Sequence, residues 1–275
     1  MQTILREKAE VKTTMAKRII SYSLYGTNPL YIEGAVRNVR LVPSIYPGWT
    51  ARVYASQEID TDSIRRLEDL GAEVVVKRRV DLVDGTFWRF LPAGDASLDA
   101  VIFRDTDSRP SRREAAAVEQ WLQSGKGLHL MRDHPEHQVL IMAGMWGCRG
   151  GAIRDIEALI AGWGLWSRKG HDQVFLREMV YPRFEGDLLV HSELFSYGDE
   201  FCLPFPLVRE PGQYVGSVID PDRDWLRPEQ ILENQRILEG LEHRHLPRAS
   251  RRPWIKRLLQ TKQWLRSRLP NRVGA

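Results

Sequence analysis

The stretch Val101-Ile102-Phe103-Arg104-Asp105-Thr106-Asp107-Ser108-Arg109 decides the fold. The apolar run that begins at Leu98 stops abruptly after Phe103 in charged residues, as a buried strand does where it leaves its sheet, and Ser111 then caps a helix through Leu122. Toward the N-terminus, Arg18 to Tyr25 predicts a strand ending at Gly26, and Asn28-Pro29 supplies an N-cap with proline in the first helical turn. Thr50 to Ala55 predicts a second strand, Asp60 to Leu70 an amphipathic helix stopped by Gly71, and Ala72 to Lys77 a third strand. Strands alternating with helices predict an α/β domain on a mostly parallel sheet flanked by helices. Toward the C-terminus, Leu128 to Arg132 is a further short strand. Beyond it Gly144, Gly147, Gly150, Gly151, Gly162 and Gly164, interleaved with Trp146, Trp163 and Trp166, predict loops around a helix from Ile153 to Ala161. A helix is expected to begin near His171-Asp172-Gln173, residues 181–220 to form short extended pieces, and Pro228 to Glu239 to be helical. The expected divisions are a polar leader over 1–17, one domain over 18–242 and a basic tail over 243–275.

Composition narrows the function classes. Of the 275 residues 43% are hydrophobic and 28% charged, which excludes a disordered chain. Two cysteines, Cys148 and Cys202, in no CxxC spacing, argue against a disulfide scaffold or a zinc ribbon and for a reducing, cytoplasmic setting. The first 18 residues lack the apolar block of a signal peptide, and no run of about 20 apolar residues predicts a membrane span. The formal charge of +4 hides an asymmetry. After Glu242 come ten basic residues and no acidic one, leaving residues 1–242 with 30 basic and 36 acidic side chains, a net of −6.

Asp105 and Asp107 carry the chemistry. Open α/β sheets bind ligands at the carboxyl ends of their strands. Two carboxylates one residue apart, where a strand gives way to a loop, can approach one hard divalent cation, Mn2+ or Mg2+, that takes its remaining ligands from phosphate oxygens and water. The competing reading is a turn that caps the Ser111 helix.

With this D-x-D after a buried strand, the chain resembles the nucleotide-sugar glycosyltransferases of the GT-A fold, including bacterial enzymes like those of family eight, over residues 18–220. The resemblance implies a GT-A-like sheet and a nucleoside diphosphate sugar donor, with a UDP-sugar leading. It also implies Asp105 and Asp107 on the cation and Tyr25 and Asn28 at the nucleotide, where a strand-end aromatic and a helix cap fit the same residues equally well. Arg89, in Phe87-Trp88-Arg89-Phe90, is the basic residue expected to meet the donor, with Arg104, Asp105 and Arg109 beside it; a guanidinium suits phosphate through its two-pronged fork. Ala143-Gly144-Met145-Trp146-Gly147 resembles an acceptor-side loop with Trp146 as a sugar platform, core packing being the alternative. His171-Asp172-Gln173 is similar to the Asp-Gln helix start that follows such loops, so Asp172 is a candidate acceptor ligand or catalytic base. His191 is the candidate third metal ligand, although the usual His-x-x-Gly-x-x-Lys-Pro-Trp ending is absent. Read directly, the crowding of ionisable groups in Arg132-Asp133-His134-Pro135-Glu136-His137 beside a strand end marks a cleft. Asp133 is its catalytic candidate and His134 its acceptor-binding one.

The tail has Trp254, Ile255, Leu258, Leu259, Leu265 and Leu269 within an arc of roughly 140° on a helical wheel, interrupted by Lys262 and Arg266. That pattern predicts a basic amphipathic helix on anionic membrane, a solvated helix packed on the body being the alternative; without an aromatic RNA motif, no nucleic acid is expected. The sequence therefore predicts a metal-dependent transferase acting on a glycan or lipid-linked acceptor in the cytoplasm, peripheral to the membrane. Its rivals are a phosphatase with Asp105 as nucleophile, and an inactive, membrane-docked partner protein of the same fold.

Overall fold

The computed structural model describes residues 17–78, 84–164, 170–239, 241 and 244–246. Alternation along the strands sorts its core into two layers. In β1 (Lys17–Leu24), Ile20, Tyr22 and Leu24 enter one apolar cluster and Ile19 the other; in β4 (Leu98–Arg104), Ile102 joins the first set and Val101 and Phe103 the second. The first layer is closed by α1 (Pro29–Ile45), α2 (Thr61–Asp69) and α4 (Arg112–Ser124), through Val36, Val39, Leu67, Val118 and Trp121. The second is closed by α3 (Asp84–Phe87), the 3-10 turn Trp88–Gly94, α5 (Ile156–Trp163) and α6 (His171–Phe175), through Phe87, Phe90, Ile156, Trp163 and Phe175. Each such side chain contributes about 1.5–3 kcal/mol by leaving water.

The remaining strands are β2 (Trp49–Ser56), β3 (Glu73–Lys77), β5 (Leu128–Arg132), β6 (Met145–Arg149), β7 (Leu188–Ser192), β8 (Phe195–Tyr197), β9 (Cys202–Leu203) and β10 (Arg244–Leu246). Among the described residues eight of the ten strands form one sheet in the order β3-β2-β1-β4-β6-β5-β7-β9, parallel throughout except for β6, which runs antiparallel to both its neighbours. The expected mostly parallel sheet flanked by helices is present. Local signals hold as well: the Asn28 side chain caps α1 through the Leu30 N–H, Asp60 caps α2 through Ser63, and Ser111 caps α4 through Glu114. Helix α7 (Pro228–Leu238) lies where the sequence puts it.

Two expectations are corrected. The glycine- and tryptophan-rich segment read as an acceptor-side loop is the central strand β6, paired from Ala100↔Arg149 to Arg104↔Met145. Its glycine has a packing cause: a Cβ on Gly147 would lie 2.8 Å from Ile102 Cγ2 and 2.9 Å from the Val101 carbonyl oxygen. The tail was expected to start at residue 243, yet Arg244–Leu246 pairs in parallel with Phe195–Tyr197 as part of the body. Of the leader expected over 1–17, Lys17 already belongs to β1, and residues 1–16 lie outside the described residues, as does the amphipathic stretch 254–269. No helix among the described residues is long and apolar enough to cross a membrane.

Candidate active site

The turn after β4 is held from below before any ligand is considered. Asn38 Nδ2, on α1, donates to the Asp105 and Thr106 carbonyls at 3.3 and 3.4 Å. The Ile219 N–H donates to the Asp107 carbonyl at 2.8 Å, and Ser108 forms a bridge with Val218. Arg109, buried to 7% exposure, spends its guanidinium on the Thr106, Ser108, Asp220 and Arg223 carbonyls. It fastens the turn to the 220s segment, which corrects the expectation that it faces the donor.

Above this turn the carboxylates are unequally served. Asp105, with its side chain 45% exposed, accepts from Arg89 Nη1, while Arg89 Nη2 donates to Asp172 Oδ2 at 3.0 Å. The Arg89 main chain is fixed by two serines of β1: its N–H donates to Ser23 Oγ at 2.9 Å and its carbonyl accepts from Ser21 Oγ at 2.7 Å. Burial opposes the charge on Arg89, but Asp105 and Asp172 outweigh it, and its pKa is raised. Asp107 has no side-chain partner among the described residues. Burial, then the charge of Asp105, pushes its carboxyl up to about 6. Two carboxylates that sense each other's charge, one of them without a side-chain partner among the described residues, have the donor chemistry of a divalent-cation site. They fit as a pair only: no cluster of three or more His, Cys, Asp or Glu side chains able to hold a metal occurs among the described residues.

Three further features frame the pair. Tyr25, at the end of β1, hydrogen-bonds through its hydroxyl with Thr86 Oγ1 at 3.2 Å and meets Trp88 edge-on. Tyr31, on the first turn of α1 and 39% exposed, has its pKa raised by burial and then by Asp107, Tyr25 and Asp105, so it stands at the mouth of the site. Gly144 precedes β6, whose register sets Met145 opposite Arg104, and a Cβ there would lie 1.9 Å from Asp105 Oδ2. The site thus brings together Tyr25, Arg89, Asp105, Asp107 and Asp172, with Tyr31, Asn38 and Gly144 added by the structure. Asn38 had a sequence signal, a polar residue within the buried stripe of Ala35, Val36, Val39 and Val42. Ser21 and Ser23 carry the same signal in β1.

Other expected site residues lie elsewhere. Strand alternation turns Arg104 to the face opposite Phe103, where it is buried with Glu114 at 3.4 Å and bonds the Phe103 and Trp146 carbonyls. It does not reach a donor. Trp146 is wholly buried, with its ring 4.0 Å from Phe103 and 5.5 Å from Phe90, so it is core and not a sugar platform. Asp133, fully buried, accepts from Arg113 at 3.0 and 3.1 Å, from the Val215 N–H at 3.0 Å and from Arg209; a carboxylate so saturated is no catalytic base. His134 is 4% exposed and stacked on Tyr214 at 4.2 Å, and burial lowers its pKa, which removes it as an acceptor ligand. His191 is also wholly buried, bonded to His129 at 2.8 Å and to Gln120 at 2.9 Å, and is no third metal ligand. Asn28 uses its side-chain oxygen in the α1 cap.

No family model and no curated protein matches the chain. Solved structures do match. A mannosyltransferase from Pyrobaculum calidifontis in complex with GDP-Man and Mn2+ is 16% identical with a TM-score of 0.42, over 62% of this chain and 54% of that one, little more than half its length. Glucosyl-3-phosphoglycerate synthase from Mycobacterium tuberculosis, in complex with Mn2+, UDP-glucose and glycerol 3-phosphate, is 16% identical with a TM-score of 0.41, over 65% and 70%. The galactosyltransferase LgtC, in complex with donor and acceptor sugar analogues, is 14% identical with a TM-score of 0.43, over 66% and 76%. At these identities and scores, what the chain is similar to is a set of glycosyltransferases, in part of their layout.

Proposed function

We propose that the chain is a metal-dependent glycosyltransferase that takes a nucleoside diphosphate sugar, a UDP-sugar first among them, and passes the sugar to a glycan or lipid-linked acceptor. The observation that carries this reading is the carboxylate pair itself. Asp107 has no side-chain partner among the described residues and feels the charge of Asp105 at the carboxyl end of a central strand, while the buried Arg89 fork holds Asp105. Asp105 and Asp107 would hold Mn2+ or Mg2+, which supplies charge neutralisation for the departing diphosphate. Arg89, on a main chain clamped by Ser21 and Ser23, would give phosphate oxygens the donor that Asp105 now holds, so little is lost in ordering it. Asp172 accepts from Arg89 and from the Gln173 N–H at 2.9 Å, and so orients the fork from the side away from Asp105. Tyr25 and Tyr31 give aromatic surface at the mouth, suited to a nucleobase or sugar ring.

The test is thermal shift with UDP, GDP and CMP, each with and without Mn2+, followed by donor hydrolysis. Stabilisation that needs both nucleotide and metal, lost with turnover in the Asp105→Ala, Asp107→Ala double variant, is the expected result. Undiminished turnover in that variant would sink the metal role. Release of phosphate from a phosphomonoester without nucleotide binding would favour the phosphatase reading, against which stands the engagement of Asp105 by Arg89. An intact fold with no shift for any nucleotide would favour the inactive partner protein.

A further inference from the structure

Resting on the reading of Asp105 and Asp107 as cation ligands, we propose that Arg89 is their built-in counter-cation, so that Arg89 and the divalent ion compete for Asp105. Two carboxylates, Asp105 and Asp172, share this one guanidinium, and Asp107 senses its charge together with that of Arg109, which is held on main-chain carbonyls beneath the turn. Arg89 occupies Asp105 through Nη1 and Asp172 through Nη2, and Asp107 has no side-chain partner among the described residues. Its Nε is buried with no acceptor among the described residues. A buried charged donor without an acceptor is costly, which makes this arrangement a resting one that another acceptor would complete.

Exchange needs no refolding. The Arg89 main chain is anchored to Ser21 and Ser23, and Asp172 retains Nη2, so only the contact with Asp105 has to open. A dication taking Asp105 and Asp107 would leave Nη1 and Nε of Arg89 open to the oxygens of a diphosphate. Metal alone then binds weakly, since it must displace an ion pair. Metal and diphosphate bind with a coupling that includes the transfer of Arg89 from Asp105 to phosphate, and linkage makes that coupling reciprocal. Arg89 is in this account a donor-binding residue that also gates the metal.

The experiment is Mn2+ titration, followed by electron paramagnetic resonance of the free ion, of the full chain and of its Arg89→Gln and Arg89→Lys variants, with and without UDP. Arg89→Gln should bind Mn2+ alone about tenfold more tightly than the parent, with UDP tightening it less than in the parent. Arg89→Lys, which keeps the charge and loses the fork, should fall between. If Arg89→Gln does not fold, as the loss of a buried charge beside Asp172 can cause, Arg89→Lys and the parent carry the test. In the parent labelled with 15N-arginine, Mg2+ should shift the Nε–H resonance of Arg89, assigned by its disappearance in Arg89→Lys. Equal or weaker Mn2+ binding by the folded variants, or an unmoved Nε–H resonance, overturns the competition and leaves the metal reading standing. Failure of the parent to bind Mn2+ even with UDP overturns both.

Discussion

Asp107 makes the most exacting statement about the site, because its position is unfavourable without a ligand. Its carboxyl titrates at about 6 in the folded chain against an ordinary 3.8, from burial first and Asp105 second. The native state therefore holds the proton more tightly than the unfolded one. This contribution to stability is fully present below about pH 4 and is lost as pH rises through 6. Asp107→Asn is accordingly expected to be more stable than the parent at pH 7.5, by about 1–3 kcal/mol. The gap should close toward pH 4, and the Mn2+-dependent gain in melting temperature should vanish; thermal melts between pH 4 and 8 check all three. Gly144 makes the converse statement, that the site is placed by close contact. With a Cβ due 1.9 Å from Asp105 Oδ2, Gly144→Ala must move either the carboxylate or the chain before β6. We expect circular dichroism to stay native while turnover falls about 100-fold, the scale set by an ångström of misplacement. Unaltered turnover would show that Asp105 need not stay where Gly144 lets it lie.

At the scale of elements, the sequence speaks clearly wherever a local signal and the burial pattern agree. The caps Asn28, Asp60 and Ser111 and the apolar runs of β1, β2 and β4 mark their elements to within a residue or two. The carboxylates and Arg89 stand out because they interrupt such runs. β6 was illegible since Gly147 within it answers to Ile102 and Gly144 before it to Asp105, contacts remote in sequence, and not to a turn. The face of a strand or loop residue was illegible for the same reason. Nothing local shows that Arg104 turns to Glu114, that Trp146 stacks on Phe103, or that Asp133 meets Arg113 and Arg209. The β5–β7 pair tests the point. Its register sets Met131 opposite His191, and the His191 ring bridges His129 to Gln120. Burial, with Arg113 nearby, pushes His191 down to about 4, so it is neutral in the fold and its stability contribution is lost as pH falls from about 6.5 through 4. His191→Ala should cost about 1–3 kcal/mol at pH 7 and leave Mn2+ affinity within about twofold of the parent. A metal affinity that collapses while the fold survives would restore His191 as a ligand.

For the whole molecule the structure moves the boundary on which the charge asymmetry depends. β10 belongs to the body, so the basic segment begins after Leu246 and carries nine basic and no acidic side chains, against 31 basic and 36 acidic before it, a net of −5. An acidic body is repelled by an anionic surface, and each basic residue near such a surface gains about 1 kcal/mol at low salt, screened over about 8 Å at 0.15 M. We therefore predict that truncation after Leu246 abolishes sedimentation with anionic vesicles and leaves nucleotide binding as it was, and that the full chain binds vesicles less as salt rises. Truncation after His243 is a different experiment. It removes the partner of β8, whose Tyr197 N–H bonds Glu200, the carboxylate that also holds the buried Arg132 and Tyr181. That shorter chain should melt earlier than the one ending at Leu246 while showing the same loss of vesicle binding, which separates a charge effect from a folding effect. Sedimentation of the Leu246 truncation with anionic vesicles would place the docking surface on the body; equal binding of the full chain to neutral vesicles would remove electrostatics as its cause.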